Sequence, residues 1–109
     1  MTAQPLDVEA VAVFLREFAE ERDWVQYHSP KNLAMALAAE AGELLDIFQW
    51  MTADESHEAM TDPEIAIAIR GELADVAQYL IRLADLLDVD LSEEVWKKVK
   101  ANETRFPVG

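Results

Sequence analysis

The sequence predicts an all-α protein, a four-helix bundle formed by one domain over residues 1–109. Three observations carry that expectation. Apolar residues recur at spacings of three and four, and the alternation expected of strands is absent. Only 3 glycines and 4 prolines occur in the 109 residues, so long helices are rarely interrupted from within. Cap-like residues, in two places followed at once by proline, stand ahead of the periodic stretches.

The first helix is expected to start near Asp7, an N-cap, and to run to about Arg22 with Val8, Val11, Leu15 and Phe18 as its apolar face. The second opens after Ser29-Pro30, a cap followed by proline in the first turn, and runs to about Met51. The stretch TADESHEAMT then reads as a polar loop. Asp62-Pro63 repeats the cap-proline signature and opens a third helix that reaches about Leu87. Asp90 with Glu93 three residues on has the form of a capping box for a fourth helix, ending near Thr104 with Pro107 as the stop. No internal repeat and no low-complexity linker divides the chain.

A hydrophobic content of 51% is that of a globular chain rather than a disordered one. No apolar run approaches the roughly 20 residues that span a bilayer. The opening MTAQPLDVEA is acidic and lacks the basic-then-apolar layout of a signal peptide. With no cysteine, disulfides and thiolate metal ligands are excluded. A cytoplasmic protein is expected. The 22 Asp+Glu against 9 Lys+Arg give a net charge of −13. Such a surface repels nucleic acid polymers and anionic membranes, so neither is an expected partner. An anionic small molecule is still acceptable where metal cations intervene.

Two helices carry an anomaly. The apolar stripe of the second reads Leu33, Leu37, Glu40, Leu44, Ile47, Met51, and that of the third Ile65, Ile69, Glu72, Val76, Tyr79, Leu83, Leu86. Each seam holds one glutamate, and each glutamate has a second acid three residues on, Glu43 or Asp75. Residues three apart are neighbours on a helix surface, so antiparallel packing would bring the pairs together. Clustered carboxylates repel, which leaves protonation, pairing with Arg70 or Arg82, or a bound cation. An all-oxygen donor set favours Mg²⁺, with Mn²⁺ as the alternative. The Glu-x-x-His pattern of di-iron bundles is absent, since neither His28 nor His57 stands in one. Gly42 and Gly71 lie just ahead of two of these acids, which suggests close approach of another helix or a ligand to the backbone.

Glu40-x-x-Glu43 followed by Glu72-x-x-Asp75 resembles the acidic signature of the all-α nucleoside triphosphate pyrophosphohydrolases, the MazG-like superfamily. FAEERDW (Phe18–Trp24), SPKNLAMAL (Ser29–Leu37), GELLDIFQW (Gly42–Trp50), ELADVAQYL (Glu72–Leu80) and NETRFPV (Asn102–Val108) resemble its dCTP pyrophosphatase branch, in order. One departure stands at Ala39, where the wider superfamily has a glutamate ahead of the first acid; four ligands are expected rather than five.

The resemblance implies a MazG-type fold, assembly as a homodimer or homotetramer, and Mg²⁺-dependent hydrolysis of a nucleoside triphosphate between the α and β phosphates. The substrate implied is dCTP or a related pyrimidine nucleotide. By the same match, Glu40, Glu43, Glu72 and Asp75 are the catalytic metal ligands. Trp24 and Trp50 match positions that hold the base, and Tyr79 matches another pocket position. His28 stands beside Trp24 in a short loop and is a further candidate. Lys98, Asn102 and Arg105 recur along one face of the fourth helix and suit phosphate or sugar contacts. Plainer roles stay open: Trp50 and Tyr79 as core cover, His28 as surface, and the basic residues as complements to a helix C-terminus. Trp96 is expected in the core. The competing function is a non-catalytic helical interaction or metal-binding module whose carboxylates are solvated.

Overall fold

The computed structural model describes residues 5–109; residues 1–4, part of the N-terminal stretch read above as unlike a signal peptide, lie outside the described residues. Among the described residues every regular element is helical. Local chemistry explains where each begins. Helix α1, Val8–Glu21, is capped by Asp7, whose carboxylate accepts from the Ala10 N–H at 3.0 Å. It stops where Asp23 turns left-handed, at φ 57°. A 3₁₀ turn, Val25–Tyr27, leads to α2, Pro30–Phe48, where the Ser29 hydroxyl accepts from the Asn32 N–H at 3.1 Å.

The segment expected to be a polar loop holds a further short helix, α3, Ala53–His57, and a 3₁₀ turn, Ala59–Thr61. Its cause is a complete capping box. Thr52 Oγ1 accepts from the Glu55 N–H at 3.1 Å, and the Glu55 carboxylate accepts from the Thr52 N–H at 2.8 Å. Helix α4, Pro63–Leu86, starts on Asp62, whose carboxylate accepts from the N–H groups of Glu64 and Ile65. Helix α5, Leu91–Arg105, starts on Asp90, which accepts from the Glu93 N–H at 3.0 Å. The Glu93 carboxylate turns to Lys97 at 3.2 Å, so only the Asp90 half of the expected box is made.

Helix α4 packs against both α2 and α1. Pairing along α2 and α4 runs in opposite directions: Glu40 meets Glu72, while His28, just ahead of α2, meets Arg82 further along α4. The two are therefore antiparallel. Leu33 on α2 and Ile69 on α4 are buried, and the remaining apolar seam residues between them are half-buried. Full burial of one such side chain contributes about 1.5–3 kcal/mol. On α1 the fully buried positions are the small Ala12 and Ala19, flanked by half-buried Val8, Val11, Leu15 and Phe18, which lets the helix sit close to its neighbour.

Two expectations are corrected. Trp96 is 65% exposed and no residue of α5 is buried, so the core of one chain is built by α1, α2 and α4, with α5 outside it. A Cβ placed on Gly42 or Gly71 would meet nothing within 4 Å, so neither glycine serves a close helix crossing within the chain. No helix of the described residues is long and apolar enough to cross a membrane.

Candidate functional site

Antiparallel packing of α2 on α4 puts the acidic interruptions of the two seams opposite one another. Carboxylate oxygens of Glu40, Glu43 and Glu72 all lie within 4.8 Å of each other. Glu40 and Glu72 are half-buried and Glu43 is exposed. Glu40 Oε2 and Glu72 Oε2 are buried without a hydrogen-bond partner, an arrangement that costs free energy unless something pairs with them. The Glu72 carboxyl is pushed up to about 7, first by the facing Glu40 carboxyl, then by burial, then by Glu43. Three carboxylates this close repel when all are ionised, so the group retains a proton near neutral pH or exchanges it for a cation. Orphaned hard oxygens converging from two rigid helices fit a divalent metal ion.

Asp75, one turn along α4 from Glu72, stands apart from the three glutamates and lines a neighbouring cavity of about 250 Å³. Glu40 lines the same cavity, together with Trp24, His28 and Tyr79. That volume is near the small end of ligand pockets, which start at roughly 300 Å³, and suits a flat ring rather than a whole nucleotide. Trp24 is held there by its backbone N–H, which donates to the Ala19 carbonyl at 2.9 Å, and by an edge-on contact with Phe18 at 5.6 Å. One wall of the cavity is thus aromatic and the other is the edge of the acidic group.

Arg82 also lines this cavity and is the one charged side chain fully buried among the described residues, at 6% exposure. It does not pair with the acids of the seam, the alternative left open by the sequence. Its Nη1 donates to Asp85 Oδ2 at 3.2 Å and its Nε donates to His28 Nδ1 at 3.2 Å. Asp85 in turn accepts two hydrogen bonds from Arg16 on α1, at 2.6 and 3.0 Å. The guanidinium of Arg16 holds the Asp85 carboxyl below the usual carboxylate range, against the opposing pull of burial. Burial, and then the Arg82 charge, keep the His28 imidazole below its ordinary value. This network was not read from the sequence as a unit, although the spacing Asp75, Tyr79, Arg82, Leu86 continues one face of α4.

The structure does not bring the other expected contacts to the cavity. Trp50, just past the end of α2, is 89% exposed. Lys98, Asn102 and Arg105 lie exposed on α5, with Arg105 stacked over Phe106 at 5.0 Å. His57 is exposed at the end of α3.

A family profile described as MazG-like matches residues 35–109. Relatives named dCTP pyrophosphatase 1, from Mus musculus and Homo sapiens, are each 45% identical to this chain over 84% of its length and 54% of theirs. The chain therefore spans about half the length of the curated relatives it matches. A solved structure of a pyrophosphatase from Archaeoglobus fulgidus DSM 4304 is similar with a TM-score of 0.84 and 36% identity, covering 99% of both chains.

Proposed function

The chain belongs to the MazG-like family, and on that premise we propose that it is a nucleoside triphosphate pyrophosphohydrolase. Water breaks the bond between the α and β phosphates, and the products are the monophosphate and pyrophosphate. The observation that carries the reading is the meeting of Glu40, Glu43 and Glu72 beside a cavity with an aromatic wall. Their oxygens, with Asp75 as the fourth donor from the cavity wall, would hold Mg²⁺ or, alternatively, Mn²⁺. When bound, the ion offsets the charge of the phosphates and of the reaction centre and can supply an activated water.

The residues divide the remaining work. Trp24 and Tyr79 offer ring faces to the base, where stacking contributes roughly 1–3 kcal/mol per base. His28 offers a hydrogen-bonding edge in the same cavity. The similarity to proteins named dCTP pyrophosphatase 1 supports dCTP or a related pyrimidine nucleotide as substrate; the role proposed with it is clearance of surplus or aberrant nucleotides in the cytoplasm. Trp50, Lys98, Asn102 and Arg105 complete the substrate contacts in a homodimer or homotetramer. The uncovered apolar residues Val95, Trp96 and Val99 on α5 support such assembly.

Pyrophosphate release from a panel of ribo- and deoxynucleoside triphosphates with Mg²⁺, beside the Glu40→Gln variant, tests the proposal. Release from one or two pyrimidine triphosphates that disappears in the variant supports it. No release from any of them by the folded protein overturns it in favour of a non-catalytic interaction or metal-binding module.

A further inference from the structure

We propose that Arg82 is a positioning residue that fixes His28 as the neutral tautomer protonated on Nε2, and so gives the base cavity a permanent hydrogen-bond donor. The inference rests on the pyrophosphohydrolase reading only where it assigns the base of the substrate as the acceptor. Its geometric part stands on the contacts themselves. A guanidinium has five N–H donors and no acceptor, and it does not lose its proton. Arg82 Nε lies 3.2 Å from His28 Nδ1, so Nδ1 must present a lone pair. A neutral imidazole with a bare Nδ1 carries its proton on Nε2. Nε2 is then the ring nitrogen left for an occupant of the cavity that His28 lines.

The rest of the network holds Arg82 to this task. Its charge is buried, and a buried cation costs several kcal/mol unless paired. Asp85 supplies the pair at 3.2 Å, and Arg16 from α1 fixes Asp85 by two further hydrogen bonds. A second arginine thus locks the carboxylate that orients the first. An apolar side chain at position 82 would meet the packing need without any of these groups, so packing alone does not account for the arrangement. A fixed donor discriminates among bases, because it donates to a carbonyl oxygen or an unprotonated ring nitrogen and opposes an N–H at the same place. The other titratable groups of the cavity, Glu40, Asp75 and Tyr79, lie on its walls, while the imidazole is hydrogen-bonded to Arg82.

The test reads the imidazole directly. With 2 histidines in the chain, a His57→Gln background leaves only the His28 ring nitrogens in a long-range proton–nitrogen spectrum. The expected spectrum shows a protonated Nε2 and a bare Nδ1. Arg82→Met should average the two nitrogens toward a tautomer mixture and let imidazolium form at a pH where the parent protein stays neutral. In turnover, the same variant should raise KM for the preferred triphosphate about tenfold, the equivalent of one hydrogen bond, with kcat changed by less than about twofold.

A proton on Nδ1 in the parent protein overturns the proposal at once, even if Arg82→Met fails to fold. An unchanged spectrum in the folded variant overturns it equally. A changed spectrum with unchanged KM overturns the donor's role toward the base. Absence of turnover by the parent protein with every triphosphate overturns the pyrophosphohydrolase reading instead, while the spectrum still decides whether Arg82 sets the tautomer.

Discussion

Glu72 and Asp85 stand on the same helix, carry the same functional group, and are driven in opposite directions by their neighbours. Glu72 meets Glu40 and Glu43 across the α2–α4 seam, and its carboxyl rises to about 7. Asp85 meets Arg16 and Arg82, and its carboxyl is held below the usual range. The difference separates a finished site from an unfinished one. The chain itself supplies both partners of Asp85, Arg82 from the same helix and Arg16 from α1, so the Arg16 salt bridge joins α1 to α4. Around Glu72 the chain supplies only like charge and leaves two buried oxygens unpaired. Helix stability alone gives no reason to place such a group in an apolar seam. A cation does give one.

The largest effect that would break this contrast is on turnover. Glu72→Gln or Glu40→Gln should lower pyrophosphate release at least about a hundredfold, since each removes an oxygen from the proposed ion site. The metal-free variants should unfold in urea no more easily than the parent protein, because repulsion is relieved. Added Mg²⁺ should raise the melting temperature of the parent protein and not that of the variants. If both metal-free variants were markedly destabilised, the glutamates would be structural and the contrast with Asp85 would collapse.

Asp85→Asn should do the reverse. It leaves Arg82 buried opposite a neutral amide, and breaking one side of a buried pair costs about 3 kcal/mol. Urea unfolding measures that loss, and the midpoint should fall without a change in slope. A loss as small as that of an exposed pair, below about 1 kcal/mol, would mean that Arg82 finds water or another acceptor.

The two carboxyls also predict two limbs of a pH–stability curve for the metal-free protein. Asp85 has its folded value depressed below 3.8, so its contribution is present above that value and is lost as the pH falls through the lower folded one. Glu72 has its folded value raised from 4.5 to about 7, so its contribution is fully present below 4.5 and is lost as the pH rises toward 7. Melting temperatures across this range should show the acid limb flattened in Asp85→Asn and the near-neutral limb flattened in Glu72→Gln. Identical curves for the two variants would show that the charges are not local to their clusters.

What the sequence made legible follows the range of the forces involved. Asp7, Ser29, Asp62 and Asp90 each cap the helix they were expected to cap, because a cap is made within three residues. The short α3 escaped because five residues are too few for a periodic pattern, and the Thr52-x-x-Glu55 box was its only signal. The seams that carry Glu40 and Glu72 were visible from spacing alone. That Asp75 turns to the cavity while Glu72 joins Glu40 depends on how α2 registers against α4, which spacing within one helix does not set. The Arg82–His28 bond joins residues 54 positions apart and left no local trace. For Trp96, amphipathic spacing gave an apolar face but not what covers it, and among the described residues it stays 65% exposed.

Gly71 supplies the smallest test and the one that separates folding from function most cleanly. It lies inside α4, directly before Glu72, and a Cβ there meets nothing within 4 Å. Helix-interior glycine is about 1 kcal/mol worse than alanine, and here no steric cost offsets the gain. Gly71→Ala should therefore raise the stability of the isolated chain by about 0.5–1 kcal/mol, read from urea unfolding at low protein concentration. The same substitution tests why a helix-weakening residue stands beside the acidic group. If turnover falls while stability rises, the space above Gly71 is used by substrate or by a second copy of the chain, and the glycine belongs with Glu72 to the unfinished site. If turnover and stability rise or hold together, the glycine carries no function, and the contrast between the two carboxyls rests on the charged groups alone.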